Sequence, residues 1–171
     1  FVIRHEPEMS FKDIMSFTLA GKPPADIKGI VYRGADNKPV LSPDRPLLKS
    51  LDELPIPKQH LLPLDKYKMP FLGSRYVWVL TNRGCPYSCT FCFEPRGFAR
   101  VRSFSIERGK RELECIVGAG VREVAFLDTN FNMDRKRAVL LWDFLASLPR
   151  RVRYAFELRG ELIDEEQARS L

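Results

Sequence analysis

The clearest patterning starts at residue 76. Tyr76-Val77-Trp78-Val79-Leu80-Thr81 is a continuous apolar run of β-forming residues, which predicts a strand buried on both faces. Ser105 can cap a helix whose apolar residues Ile106, Leu113, Ile116 and Val117 share one face, ended by Gly118-Ala119-Gly120. Val121 to Leu127 predicts a second strand. Asp134 can cap a helix carrying Ala138, Leu141, Trp142 and Leu145 at the i, i+3, i+4, i+7 spacing, stopped by Pro149. Val152 to Leu158 predicts a third strand, and Asp164 begins another helix. The order β-α-β-α-β-α argues for an α/β fold with a parallel sheet and right-handed crossovers. Ligand sites in such folds gather at the carboxyl ends of the strands, here Thr81 to Cys85, Asp128 to Asn130 and Glu157 to Arg159.

Upstream the pattern is looser. Ser10 to Leu19 carries a helical stripe of Phe11, Ile14, Met15 and Leu19, with Ser10 placed as its cap. Ile27 to Arg33 reads as a strand, Gly34 to Asn37 as a turn and Pro39 to Leu41 as a return strand. Ten of the 13 prolines fall in residues 1 to 70, so much of this part reads as loop and extended connector.

Composition narrows the class. With 171 residues, 44% hydrophobic and 29% charged, the chain is one domain or parts of two and can build a core, which argues against disorder and collagen-like repeats. No run approaches the roughly 20 apolar residues needed to cross a bilayer. The opening Phe1-Val2-Ile3-Arg4-His5-Glu6 has neither an initiator Met nor a secretion signal, and the end at Leu171 falls within a helical pattern. The expectation is a cytoplasmic protein, met as an internal piece of a longer chain. The net charge of +6 is concentrated in residues 75 to 111, where eight basic residues (Arg75, Arg83, Arg96, Arg100, Arg102, Arg108, Lys110, Arg111) face only Glu94 and Glu107. Such a stretch suits a solvated face, a nucleic-acid footprint or the surroundings of an anionic metal cluster.

Three of the four cysteines lie in that segment. Arg83-Gly84-Cys85-Pro86-Tyr87-Ser88-Cys89-Thr90-Phe91-Cys92 has the spacing C-x3-C-x2-C directly after the strongest strand. Three thiolates on one loop suit a soft metal centre: zinc, copper or an iron–sulfur cluster. Structural zinc wants a fourth ligand, but Cys115 lies mid-helix and His5 and His60 are remote in sequence. A bacterial ferredoxin would show a different spacing and a fourth Cys before Pro. An iron–sulfur site with one iron left open fits the pattern best. Cys115 is expected to be buried and inert, Trp78 and Trp142 to belong to the core, and the two histidines to have no role.

The Arg83 to Cys92 motif resembles the signature of the radical S-adenosylmethionine (radical SAM) superfamily. Lys28-Gly29-Ile30-Val31-Tyr32-Arg33 and Leu51-Asp52-Glu53-Leu54-Pro55-Ile56-Pro57 resemble the connector of its cobalamin (B12)-binding branch. Glu6-Pro7-Glu8 with Phe11 is similar to the tail of a cobalamin domain, with His5 where that branch usually has glycine. The resemblance implies residues 1–24 as the tail of a Rossmann-like cobalamin-binding domain, 25–74 as a Pro-rich connector, and 75–171 as the first three βα units of a partial (β/α)6 TIM-like barrel. It implies that Cys85, Cys89 and Cys92 ligate a [4Fe–4S] cluster whose open iron chelates S-adenosylmethionine. Reductive cleavage to a 5′-deoxyadenosyl radical would follow, with the cofactor supplying the difficult chemistry. Phe91 would pack near adenine or serve as a core side chain, and Gly84 would permit close backbone approach to the cluster or simply form a turn. Asp128 and Asn130 would lie where the methionine moiety is held or act as helix caps, with Leu-Asp-Thr-Asn-Phe replacing the Gly-Gly-Glu of many relatives. Glu157 and Arg159 would contact S-adenosylmethionine or substrate, or pair with each other.

The leading expectation is a cobalamin-dependent enzyme that methylates or rearranges an unactivated carbon of a small molecule, with flavodoxin or ferredoxin as electron donor. A passive electron-transfer module and a tRNA-modifying or nucleic-acid-binding protein are the alternatives. With three strands present, the piece by itself is expected to be inactive and to expose apolar sheet edges.

Overall fold

The computed structural model describes residues 1–68, 75–94, 98, 100–148 and 152–170. The chain divides into two units, Phe1–Lys49 and Ser50–Leu171.

In the first unit, β1 (Val2–Ile3), α1 (Pro7–Leu19), β2 (Ile30–Arg33) and β3 (Pro39–Leu41) follow in order. The strands form an antiparallel sheet in sequence order, pairing Val2 with Val31 and Val31 with Leu41. The return strand has the expected limits, while β2 starts later than the apolar pattern because Gly29 takes φ 75 and interrupts the extended run. Ile14, Ile27 and Ile30 form a small core. Ser10 does not cap α1. The helix starts earlier, with Pro7 at a position that suits its missing N–H, and Ser10 lies buried within it, donating to the Lys28 carbonyl at 3.0 Å. His5 adopts φ 63, a conformation that favours glycine, which gives a physical reason for glycine at the matching position of the resembled branch.

The second unit contains β4 (Tyr76–Val79), β5 (Asn82–Arg83), β6 (Arg102–Ser103), α2 (Ile106–Gly118), β7 (Glu123–Phe126), α3 (Arg135–Ser147), β8 (Arg153–Ala155) and α4 (Glu165–Ser170). β4, β7 and β8 form a parallel sheet in sequence order, aligning Val77, Val124 and Tyr154, as the alternating pattern required. Side chains at Ser105, Asp134 and Asp164 cap their helices by accepting from Arg108 N, Arg137 N and Gln167 N. Pro149, expected to stop α3, lies outside the described residues.

The core joins one face of the sheet to α2 and α3 through Val77, Val79, Val124, Phe126, Leu113, Ile116, Leu141 and Trp142. Phe126, Phe131, Trp142 and Phe156 pack their rings within it, with Phe126 stacked on Phe156 at 4.7 Å. The strands are shorter than their apolar runs, and β4 is not buried on both faces. Val77 and Val79 are buried, whereas Trp78 is 60% exposed on the opposite face, so Trp78 is not a core residue. The reason is pleating: alternate side chains leave opposite faces, and the described helices cover only one. Cys115 is likewise exposed rather than buried, because the core stripe of α2 runs through Leu113, Ile116 and Val117 and leaves it on the far side.

Candidate functional site

The cysteine segment leaves the sheet at the carboxyl end of β4 and returns to start α2. Its neck is the two-stranded ladder β5–β6, pairing Asn82 with Ser103 and Arg83 with Arg102. Gly84 opens the excursion at φ 85, and an added Cβ would lie 2.4 Å from the Arg100 carbonyl oxygen. The close approach that the structure shows at Gly84 is to the returning backbone of the loop.

A buried polar knot fixes the start of this excursion. The Asp128 carboxylate, completely buried just beyond β7, accepts from Thr81 N and Oγ1 and, at 2.8 Å, from Asn82 N. Arg137 reaches from α3 to donate to the carbonyls of Phe104 (2.6 Å) and Thr81 (3.0 Å), and Phe104 N donates to Thr81 O. Burial pushes the Asp128 carboxyl above its ordinary range, against the opposing pull of Thr81, Asn82 and Arg137. Asp128 thus acts on the frame of the cysteine loop, and neither Asp128 nor Asn130 caps a helix through a side-chain bond. Asn130 is also buried, with neither amide atom hydrogen-bonded.

Cys85, Cys89 and Cys92 are free and partly buried on the loop, and Cys92 N donates to Cys89 O at 3.1 Å. Among the described residues, no three His, Cys, Asp or Glu side chains already stand close enough to share a metal ion. The donor set nevertheless suits an iron–sulfur group: three unpaired thiols in one loop, beside a cation. That cation is Arg159, whose guanidinium lies 3.9 Å from the ring centroid of Tyr87, within the cysteine motif. Its backbone is held on both sides by Asn132, which accepts from Arg159 N at 3.0 Å and donates to Arg159 O at 3.1 Å. Arg159 pairs with Glu161, not with the exposed Glu157. Glu157 instead contributes its carbonyl, which accepts from Phe131 N.

Phe91 is 92% exposed, which excludes the core reading for it. Glu94, two residues past the last cysteine, accepts from Thr129 Oγ1 at 3.1 Å, so the second strand end also touches the loop. Sequence reasoning missed Tyr87, Glu94, Asn132 and Arg137. Only Glu94 and Tyr87 carried a signal, their closeness to the cysteines; the others act through tertiary contacts. The basic segment is less free than its count suggests: Arg108 is buried against Glu112 at 2.6 Å, and Arg75 pairs with Asp65, while Arg96 lies outside the described residues.

Residues 79–171, more than half of the chain, match the radical SAM superfamily. The chain belongs to that superfamily. An uncharacterized methyltransferase of Pyrococcus horikoshii is 39% identical over 140 residues, covering 81% of this radical SAM chain and 30% of the relative. A cobalamin-dependent radical SAM methyltransferase of Streptomyces tokunonensis is 30% identical over 140 residues, covering 77% of the chain and 20% of the relative. The solved cobalamin-dependent S-adenosylmethionine radical enzyme OxsB, with aqua-cobalamin and S-adenosylmethionine bound, superposes with a TM-score of 0.73. That likeness, at 19% identity, covers 97% of this chain and 25% of the solved one and establishes the fold. The chain therefore spans less than a third of these relatives. Among the described residues, no helix is long and apolar enough to cross a membrane.

Proposed function

We propose that this chain is the first part of the radical SAM core, with its preceding connector, of a cobalamin-dependent methyltransferase acting on an unactivated carbon of a small molecule. The observation that carries this reading is the loop itself. Three unpaired cysteines leave the carboxyl end of β4 on an excursion closed by its own two-stranded neck, and the other two strand ends supply contacts to it. Parallel sheets present ligand sites at this edge.

In this reading Cys85, Cys89 and Cys92 would hold a [4Fe–4S] cluster. A reduced cluster supplies the electron for cleaving S-adenosylmethionine, with flavodoxin or ferredoxin as donor in the cytoplasm. The chain's own residues position the site. Asp128, Thr81 and Arg137 lock the departure of the loop, Gly84 lets the neck close, and Asn130 offers an amide to S-adenosylmethionine from the second strand end. Glu157 is exposed and free to face substrate, and Phe91 can fold over the adenine ring. The exposed sheet face around Trp78 and Leu80 becomes the interior of a (β/α)6 barrel completed by further strands. Residues 1–24 end a cobalamin domain and 25–74 connect it to the core. This 171-residue piece by itself turns over no substrate.

The test is anaerobic reconstitution of the full-length protein with iron and sulfide. The reduced protein should show the electron paramagnetic resonance signal of a four-iron cluster and form 5′-deoxyadenosine or S-adenosylhomocysteine from S-adenosylmethionine. Loss of iron binding in Cys85→Ala, Cys89→Ala and Cys92→Ala should accompany loss of both products. Full iron loading without S-adenosylmethionine cleavage would instead support a passive electron carrier.

A further inference from the structure

One cation that touches the cysteine loop comes from the far edge of the sheet. Arg159 follows β8, the third strand, whereas the cysteines follow β4, the first. Its backbone N–H and carbonyl are both tied to Asn132, itself 1% exposed, so the residue cannot slide along the chain direction. The guanidinium then covers the Tyr87 ring, inside the C-x3-C-x2-C motif. Glu161 accepts from its Nε, at 2.6 Å, and from Nη2. Arg159 is thus a cation shared between one carboxylate and the cysteine loop.

We propose that Arg159 is a positioning residue for the cysteine loop, clamping it through Tyr87 and setting the positive charge felt by the metal group held there. The clamp stands on the contacts alone; the charge role rests on the iron–sulfur reading above. A guanidinium suits both tasks, since its plane stacks on an aromatic ring while its charge stays fixed at every working pH. A nearby positive charge stabilises the more negative, reduced form of a bound cluster and so raises its reduction potential. Glu161 works against it by partial neutralisation.

Two readouts on the full-length protein test the parts separately. In the metal-free protein, hydrogen exchange of the amides from Tyr87 to Cys92 should be several-fold faster in Arg159→Ala and in Tyr87→Leu than in wild type. Exchange in β4 and β7 should stay unchanged, and Arg159→Lys should give intermediate protection because it keeps the charge and loses the stacked plane. In the reconstituted protein, the cluster midpoint potential followed by electron paramagnetic resonance should move negative in Arg159→Ala and positive in Glu161→Gln. Unchanged exchange in Arg159→Ala overturns the clamp, and midpoints that coincide in all three proteins overturn the charge role. Wild-type protein that binds no iron while Arg159→Ala still loosens the loop would sink the cluster reading and leave the clamp standing.

Discussion

Replacing Gly84 by alanine isolates the closure of the cysteine loop. At φ 85, an L-residue costs about 1–2 kcal/mol relative to ordinary backbone conformations. The methyl would also meet the Arg100 carbonyl at 2.4 Å from oxygen and 2.9 Å from carbon, and a backbone carbonyl cannot rotate aside as a side chain would. β6 must therefore shift away from β5, weakening one or two ladder bonds worth about 0.5–1.5 kcal/mol each. The combined loss is about 2–4 kcal/mol. Gly118→Ala is the matched control: nothing lies within 4 Å of its added methyl, and at the last turn of α2 it should be neutral or gain up to about 1 kcal/mol. The assay is urea unfolding followed by tryptophan fluorescence, together with amide exchange at Asn82–Arg83 and Arg102–Ser103. With a slope of about 1–3 kcal/mol per molar urea, the Gly84→Ala midpoint should fall by about 0.7 M or more. A Gly84→Ala protein that unfolds within about 0.5 kcal/mol of wild type, with unchanged exchange at the neck, would refute the reasoning.

Three other outcomes follow from the same contacts. Asp128→Asn should destabilise by about 1–3 kcal/mol: the amide oxygen can still accept from Thr81 N and Asn82 N, but the NH2 group cannot accept from Thr81 Oγ1 as Oδ2 does. Because burial raises the folded-state value of Asp128, the native state holds its proton more tightly than the unfolded chain; the stability contributed by this group is greatest at low pH. It is lost as pH rises above the ordinary aspartate value of 3.8, so chemical unfolding across that range should show the gap between wild type and Asp128→Asn narrowing. Asn132→Ala removes both bonds to the Arg159 backbone and should lower stability by about 1–3 kcal/mol, read by thermal unfolding. In the 171-residue chain, acrylamide should quench Trp78 readily and Trp142, at 3% exposure, hardly at all; Trp78→Phe should leave a poorly quenched signal, and equal quenching of both would contradict the covered and open faces of the sheet.

How much was legible differs by residue. The caps at Ser105, Asp134 and Asp164 were readable because a short polar side chain ahead of an apolar stripe has few other uses. Ser10 looked the same and was misread, since Pro7 three residues earlier had already begun the helix. The exposure of Cys115 was recoverable: two residues past Leu113, it lies off the stripe defined by Leu113, Ile116 and Val117. The exposure of Trp78 was not, because an apolar run reports what a strand can bury and says nothing about which layers cover it. In the site, cysteine spacing marked the loop, but the expected alternative of a Glu157–Arg159 pair does not form. β8 ends at Ala155, so the period of two no longer relates Glu157 to Arg159, and Glu161 becomes its partner.

The two-pair neck gives the cysteine loop an unusual tolerance. Closure entropy grows only with the logarithm of loop length, so doubling the excursion would cost about 0.6 kcal/mol. The sheet, α2 and their shared core would not register the insertion, because β5 and β6 return the chain to the same place. A single methyl on Gly84 is a far larger perturbation than many added residues. Chain length after the cysteine motif can therefore drift while the exit geometry stays fixed, making that stretch an exchangeable insert on a fixed mount.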